Sequence, residues 1–576
     1  MSVAPDAKSA IVDAKARDIE ALGHQDVAGS APLFLIICGL AIGALLGAFA
    51  PAIDQRGVDG SLVLAGTVNF PPQSPLAPYF LDSWTSIHQI GALLLRAGIA
   101  QDHVNTLFIL FPCALLVCGY VMLIYGVSGR FLISVLAGPL CYLANPLAPF
   151  FASPDYTTLG LLWSQVTEGT FGFWAHAGAV WIVGCVAAGR YTLAGFSALV
   201  LVCVHPVMGA YMTALLIATL VAGRIFFGLR MPGLAKGAAF GACVTLISLA
   251  TYFKTRSGFS APIDQVAYDA YLRLWDVHQS HVMTSGNAIR IAAAAVLGMA
   301  ALSAFLALRV ARRESTTLVF VLTLLAVAAS TIAYYAVHIV PQVLPELVLR
   351  TLPARLLNVQ AFVSTPLVLG VAICIADRAV KNRKTGTFVW AARLLPVAIS
   401  LLVIASATVY ALQRRNAISA YAQTVIDTRM LGKLSPAQEQ SQTFWRDVRA
   451  AGVTGLVLTS SRDSAASLYH GHLAIAVYGD AMDFFHYIPQ AAGAAARIVT
   501  EGYGIPFSDP PLEILHAARL PADAGRVYWA NLSGDEWCKI SRNLGVTALV
   551  APTDWPVKLP ALVRGPELTL YTVSCH

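Results

Sequence analysis

Asp59 is followed by Gly60 and preceded two positions earlier by Gly57, within the long polar connection Pro51 to Asn105 that follows the first apolar segment. Asp-Gly is a common turn pair, and the flanking glycines would present the carboxylate at a flexible bend. A carboxylate placed there could accept the proton of an attacking hydroxyl, or hold a divalent cation against a phosphate leaving group. An ordinary turn aspartate is the plain alternative. Asp54 is a second candidate for the same role, and Glu168, ahead of the Gly169-Thr170-Phe171-Gly172 turn, is a candidate second acid or acceptor-site residue. Asp82, just before Trp84, reads as a helix N-cap.

Cations that could meet a phosphate are Arg350 and Arg355, in the proline-flanked run from Pro345 to Arg355. Two guanidiniums could grip a phosphate or pyrophosphate through paired hydrogen bonds. The alternative is snorkelling to lipid head groups. His205 precedes Pro206 between two apolar runs, as a substrate contact or as an interfacial cap. His278 and His281 are three apart and would share a helical face. No partner of matching spacing makes them a metal site, which leaves His281 as a candidate substrate contact. The metal ligands stay unassigned, and a divalent ion such as Mg or Mn is an open cofactor question.

These residues need a scaffold, and composition defines it. Hydrophobic residues are 57% and charged residues 12% of the chain, against about a quarter charged in soluble domains. The net charge of +7 is not a nucleic-acid signature, because the basic residues sit in short connections between apolar runs. Those runs have the length that crosses hydrocarbon at about 1.5 Å per residue. They are read at about 32–52, 106–127, 131–151, 172–189, 191–205, 206–228, 234–253, 288–308, 316–339, 357–376 and 388–412. The fold class expected is therefore a polytopic α-helical membrane protein of about eleven transmembrane helices with a C-terminal extracytoplasmic α/β domain.

The positive-inside rule orients it. With the N-terminus cytoplasmic, the short inner connections carry twelve basic residues, among them Arg130, Arg224, Arg312, Arg313, Lys381 and Lys384. The far longer outer ones carry seven. Residues 1–31 would be a cytoplasmic tail, 32–412 the membrane domain with its long outer loop 52–105, and 413–576 an extracytoplasmic domain of a cytoplasmic (inner) membrane protein. No cleavable signal is evident.

In the outer loop, Trp84 to Val104 has helical apolar periodicity (Ile87, Ile90, Leu94, Ile99) on a segment too polar to span, as expected of a surface-lying amphipathic helix. The tail has fourteen basic and fourteen acidic residues, the balance of a neutral globular module long enough for its own core. Helices are expected at 416–430 and 436–451, and strands at Gly455–Thr459, Leu473–Val477, Val527–Ala530, Ala548–Ala551 and Leu568–Val573. No nucleotide-cradling glycine pattern opens a helix there. Eight of ten cysteines fall in the apolar runs. The remaining two, Cys538 and Cys575, suggest a disulfide on an oxidising face.

The acidic first outer loop followed by a surface helix, the short inner loops and the outward C-terminal module resemble the GT-C superfamily of integral-membrane glycosyltransferases, which use sugars carried on polyprenyl phosphates. The resemblance covers the membrane part as architecture, and the strand-like end Gly545–Pro552 and Leu568–Val573 is similar to the closing strands of several such proteins. It implies that Asp59 or Asp54 is the first-loop acid, and Arg355 the late-loop base that meets the lipid phosphate. A hexosyl- or pentosyltransferase is then implied, with a lipid-linked sugar donor, membrane lipids around it and no nucleic-acid partner. The oligomeric state stays open. The first loop lacks a paired-acid motif and the tail a WWD-type sequence, which argues against an oligosaccharyltransferase. A cell-envelope polysaccharide ligase or membrane acyltransferase would rest instead on His205, His281 and Arg350. A non-catalytic assembly protein or a transporter are further alternatives.

Overall fold

The computed structural model describes residues 33–48, 56–72, 74–143, 171–256, 262–276, 287–310, 314–339, 351, 356–381 and 431–575 (less 480, 481, 483, 484, 486, 487 and 516), with isolated positions between 394 and 427. Helices dominate, and a small sheet lies near the C-terminus. In chain order they begin with α1 (Leu33–Ala48), α2 (Arg56–Ala65), α3 (Leu76–Asp82), α4 (Ser86–Arg96), α5 (Gln101–Ser128) and α6 (Phe131–Leu143). Next come α7 (Phe171–Ala187), α8 (Tyr191–Val204), α9 (Pro206–Phe227), α10 (Leu234–Thr255) and α11 (Gln265–Ala270). The bundle closes with α12 (Asn287–Val310), α13 (Glu314–Ile339) and α14 (Leu356–Lys381).

Helices thus occupy ten of the eleven predicted segments, and the eleventh, 388–412, lies mostly outside the described residues. Among the described residues, four helices are long and apolar enough to cross a membrane: α5, α9, α10 and Glu314–Ala333 of α13. Shorter apolar helices include α1, α8 and most of α6 and α7. Apolar side chains such as Phe226 (75% exposed) and Ile247 (69% exposed) face outward on α9 and α10, a surface that suits hydrocarbon better than water.

The bundle is built on α5, whose apolar residues are buried around most of its circumference. Gly39, Gly43 and Gly47 recur every fourth residue on α1, and a Cβ on any of them would stand within 3 Å of Cys118, Ala114 or Leu110. On the α7 side, a Cβ on Gly119 would meet the Val180–Trp181 backbone, and one on Gly126 would stand 2.3 Å from the Ala187 carbonyl oxygen. The same spacing recurs between α8 and α10, where Gly237 and Gly241 lie under the carbonyls of Thr192 and Phe196. Small residues at i, i+4 let backbones touch and gain dispersion contact where apolar surroundings supply no hydrophobic drive. At one end of the bundle the Arg130 guanidinium pairs with Asp377 at the end of α14.

The C-terminal part continues with α15 (Pro436–Ala450), β1 (Leu456–Thr459), α16 (Ser464–Tyr469), α17 (Ala492–Arg497), α18 (Arg526–Asn531), α19 (Gly534–Leu544), β2 (Val546–Pro552), β3 (Ala561–Arg564) and β4 (Leu568–Thr572). The sheet order is β1-β2-β4-β3, with β1 parallel to β2 and the other pairs antiparallel. Capping boxes at Ser435/Gln438 and Ser533/Glu536 start α15 and α19. The strands expected at 455–459, 548–551 and 568–573 form. Leu473–Val477 contributes only a bridge, Val457 to Ile475. Val527–Ala530 is a correction: it lies in α18, where Trp529 is fully buried and Val527 is 73% exposed, an inequality between residues two apart that a strand face would not give. The expected helix at 416–430 lies mostly outside the described residues. Cys538 and Cys575 are disulfide-bonded with Cα atoms 5.4 Å apart, tying the chain end to α19.

The tail is also not an independent core. One continuous cluster joins Val58 and Leu62 of α2, Phe80 of α3, Ile87 of α4 and Val104 of α5 to Leu458, Phe485, Trp529 and Leu549. Tyr268 and Ala270 of α11, with Tyr271 and Trp275 of the turn that follows, belong to the same cluster. The first-loop helices and the α11 segment are thus the floor of the C-terminal unit.

Candidate functional site

Asp59 lies in the first turn of α2, not on a flexible bend. Val58, Leu62 and Val63 recur at helical spacing and are buried, so the segment folds as a helix against α4 and the C-terminal unit. Asp59 itself is 0% exposed. The first turn of a helix favours a carboxylate, because the free N–H groups and the dipole present positive charge there. Gly60 serves contact, not flexibility: a Cβ there would stand 2.2 Å from Cε1 and 2.3 Å from Nε2 of His88. On the facing helix, a Cβ on Gly91 would stand 2.1 Å from Oγ of Ser61. Each glycine thus makes room for a side chain of the facing helix, His88 over Gly60 and Ser61 over Gly91.

The amphipathic helix expected over Trp84–Val104 is two helices. Gly98 at φ +85° ends α4 and redirects the chain into α5. Thr85, not Asp82, is the N-cap, and Asp82 is the last residue of α3. Thr85 accepts from Ile87 N and donates its hydroxyl to the Val204 carbonyl at 2.8 Å. Ser248 on α10 accepts from Trp84 Nε1 at 3.1 Å and donates to Gln89 Oε1 at 2.7 Å. These bonds seat α4 on the ends of α8 and α10. Its buried face is Ile87, His88, Gly91 and Ala92, while Ile90 and Leu93 point outward. His88 is fully enclosed, and burial holds its imidazole down at about 3, so it is neutral at pH 7.

The first turn of α5 meets the turn that follows α16. Tyr469 donates its phenol to Asp102 Oδ1 at 2.6 Å. Gln101 donates from Nε2 to the Tyr469 carbonyl at 3.3 Å, and its Oε1 lies 3.0 Å from Nε2 of His472. Gln101 Oε1 can only accept, so His472 carries its proton on Nε2. Burial is the main cause that raises the Tyr469 phenol above its ordinary range, followed by the charge of Asp102 and then that of Asp59.

His205 caps α9, accepting from Met208 N through Nδ1 at 3.3 Å. Asp54, Glu168, Arg350, Arg355 and His281 lie outside the described residues. Among the described residues no group of three or more His, Cys, Asp or Glu side chains could hold a metal ion. Of the predicted site residues, the structure therefore places Asp59 and His205 and joins Cys538 to Cys575.

Sequence reasoning missed His88, Gln101, Tyr469 and His472. His88 carries a legible signal, because a histidine one position from Ile87 and three before Gly91 lies on a small-residue face suited to close helix contact. Tyr469 carries none, since its partner is 367 positions away. Compared with known proteins, the chain matches no family model, no curated protein and no solved structure.

Proposed function

We propose that this chain is a membrane glycosyltransferase of the GT-C type that moves a sugar from a polyprenyl-phosphate-linked donor to an extracytoplasmic acceptor. In this reading eleven segments cross the cytoplasmic membrane, the N-terminus is inside, and α2–α4 with the C-terminal unit face outward. The observation that carries it is the position of Asp59: a carboxylate held in a helix first turn, where the first-loop helices meet the C-terminal unit at one end of an apolar bundle. A site there could take a lipid-borne phosphate at the bundle edge and a polar acceptor from the C-terminal unit. The acceptor oxygen would attack the anomeric carbon as its proton passes to Asp59, and the bond to the lipid phosphate would break with both electrons leaving on the phosphate oxygen. Arg355 would neutralise that phosphate.

A second reading is favoured by one observation. Asp59 has no exposed surface in this state, as expected of a structural carboxylate in a non-catalytic envelope assembly protein. A ligase or acyltransferase reading through His205 is less favoured, because its Nδ1 already caps α9.

Mass spectrometry of lipid-linked sugars and envelope glycans, with and without the protein, tests the proposal. One lipid-linked sugar should accumulate and one glycan should disappear when the protein is absent. Unchanged profiles would favour the assembly reading. Orientation is tested separately: a reporter active only outside the cytoplasm should be active when fused after residue 412 and silent when fused near Arg312 or Lys381.

A further inference from the structure

Three buried polar atoms around one aromatic ring make no hydrogen bond among the described residues: Oγ of Ser61 on α2, Oδ1 of Asn105 on α5 and Nε1 of Trp174 on α7. Ser61 is 0% and Asn105 4% exposed, and the Trp174 nitrogen is buried although its residue is only half-buried. Phe108 relates the three. Its Cζ stands 2.9 Å, and the Ser61 Oγ 2.1 Å, from the Cβ position of Gly91, so the hydroxyl and the ring tip approach one point of α4. Asn105 precedes Phe108 by one turn on the same face of α5. The Trp174 ring meets the Phe108 ring edge-on, with centroids 6.0 Å apart. A buried polar atom left unpaired costs stability. Three such atoms at one ring, contributed by three helices, are what a ligand site leaves behind when its ligand supplies their partners.

The atoms define the ligand's chemistry. An indole N–H only donates, an amide oxygen only accepts, and a serine hydroxyl does either. An ionised phosphate cannot donate to Asn105 Oδ1, and an ammonium cannot accept from Trp174. A hydroxyl does both, and a ring with several hydroxyls can serve all three atoms with its apolar side against Phe108. A route from the bundle surface is also marked. Phe111, stacked on Trp174 with centroids 5.5 Å apart, is 53% exposed, and Leu107 one turn before it is 44% exposed. The apolar outer surface of α5 therefore runs up to the Trp174 ring.

We propose that Ser61, Asn105 and Trp174 bind the hydroxyls of a neutral, polyhydroxylated group of the sugar-ring class against Phe108. The group arrives either as the head of a glycolipid, along Phe111 and Leu107, or as a free sugar from water. Calling it the sugar of a lipid-linked donor rests on the glycosyltransferase reading, whereas the site itself is a statement about binding.

Binding is measured without any transfer reaction. The full chain in phosphatidylcholine nanodiscs is melted with dodecyl glucoside, galactoside, mannoside or N-acetylglucosaminide in the bilayer, and with the four methyl glycosides in the buffer. Dodecanol controls for the tail and dodecyl phosphate for charge. At least one dodecyl glycoside should raise the melting midpoint by several degrees beyond dodecanol, since a ligand that binds only the folded chain stabilises it. The rise should vanish in the double variant Ser61→Ala, Asn105→Leu, with the Cys538–Cys575 bond still intact on a non-reducing gel. An equal rise with the matching methyl glycoside supports the site with water as the source, and a rise with the dodecyl form alone supports it with the membrane as the source. No rise with any glycoside, a rise with dodecyl phosphate alone, or an undiminished rise in the double variant would overturn the site. Should the double variant lose the disulfide, Trp174→Phe takes its place, because it keeps a ring against Phe111 and deletes only the N–H. The rise should then shrink, and an unchanged rise again overturns the proposal. Because melting reads no glycan, the site and the transferase reading can fail independently.

Discussion

The indole of Trp275 donates through Nε1 to the carbonyl of Phe507 at 2.8 Å, and its ring stacks on the Phe507 ring with centroids 5.1 Å apart, although 232 positions separate the two residues. The Trp275 carbonyl in turn accepts from Ala518 N at 3.0 Å. A residue from the connection between α10 and α12 is therefore part of the interior of the C-terminal unit.

A fragment of residues 431–576 should consequently not fold alone. It would expose the surface that Tyr268, Tyr271 and Trp275 cover, and the expected outcome is an insoluble or molten product by near-UV circular dichroism. In the full chain, Trp275→Ala should cost about 3–5 kcal/mol, read as protease sensitivity of the C-terminal unit. A soluble fragment with a cooperative melt would refute this dependence.

How the sequence relates to this result differs between segments. Hydrocarbon-length apolar runs located ten helices within a few residues, because length and hydropathy are local properties. The floor under the C-terminal unit was not legible, since Trp275 and Phe507 carry no mark of each other. The short edge strand β3 was missed because Ala561, Leu562 and Arg564 are exposed and show no alternation. At the site, residue type singles out Asp59, but its setting is not legible from its neighbours in the chain. Gly57 and Gly60 looked like hinges around a turn, and Gly60 proves to be the contact point for the His88 imidazole on the facing helix.

Gly60→Ala should therefore destabilise, against the usual gain of about 0.5–1 kcal/mol for replacing glycine inside a helix. The added methyl would fall into the His88 ring, and overpacking of this kind costs about 1–3 kcal/mol. Gly298→Ala on α12 is the control, because nothing lies within 4 Å of its Cβ position. Thermal midpoints of the two variants should move in opposite directions.

Acid should loosen the same junction. The folded chain holds His88 near 3 against an ordinary 6.5, so the unfolded chain binds that proton first. Stability is complete above about pH 6.5 and is lost as the pH falls toward 3. His88 alone would cost about 2 kcal/mol at pH 5, at about 1.4 kcal/mol per unit. His472, lowered to about 4 mainly by burial and then by Arg449, and His470, also lowered mainly by burial, act in the same direction. Melting at pH 7.5 and pH 5 should show a lower midpoint in acid, and His88→Gln should flatten the difference.

Removing the disulfide should cost about 2–4 kcal/mol, because Cys538 and Cys575 close a loop over a separation of 37 positions. Without reductant, alkylation of the unfolded chain should leave both thiols unlabelled. Cys575→Ser should expose Cys538 and lower the melting midpoint of the C-terminal unit.

The catalytic role of Asp59 is tested most directly by the yield of one glycan in cells whose only copy of the protein is Asp59→Asn, measured by mass spectrometry beside wild-type complementation. The substitution keeps the side chain's volume and removes its basicity. A hundredfold or larger loss of product is expected, the usual range for a general base. Its lipid-linked precursor should accumulate, and the Cys538–Cys575 bond should stay intact as proof of folding. A folded Asp59→Asn protein that restores the wild-type glycan yield would contradict that role.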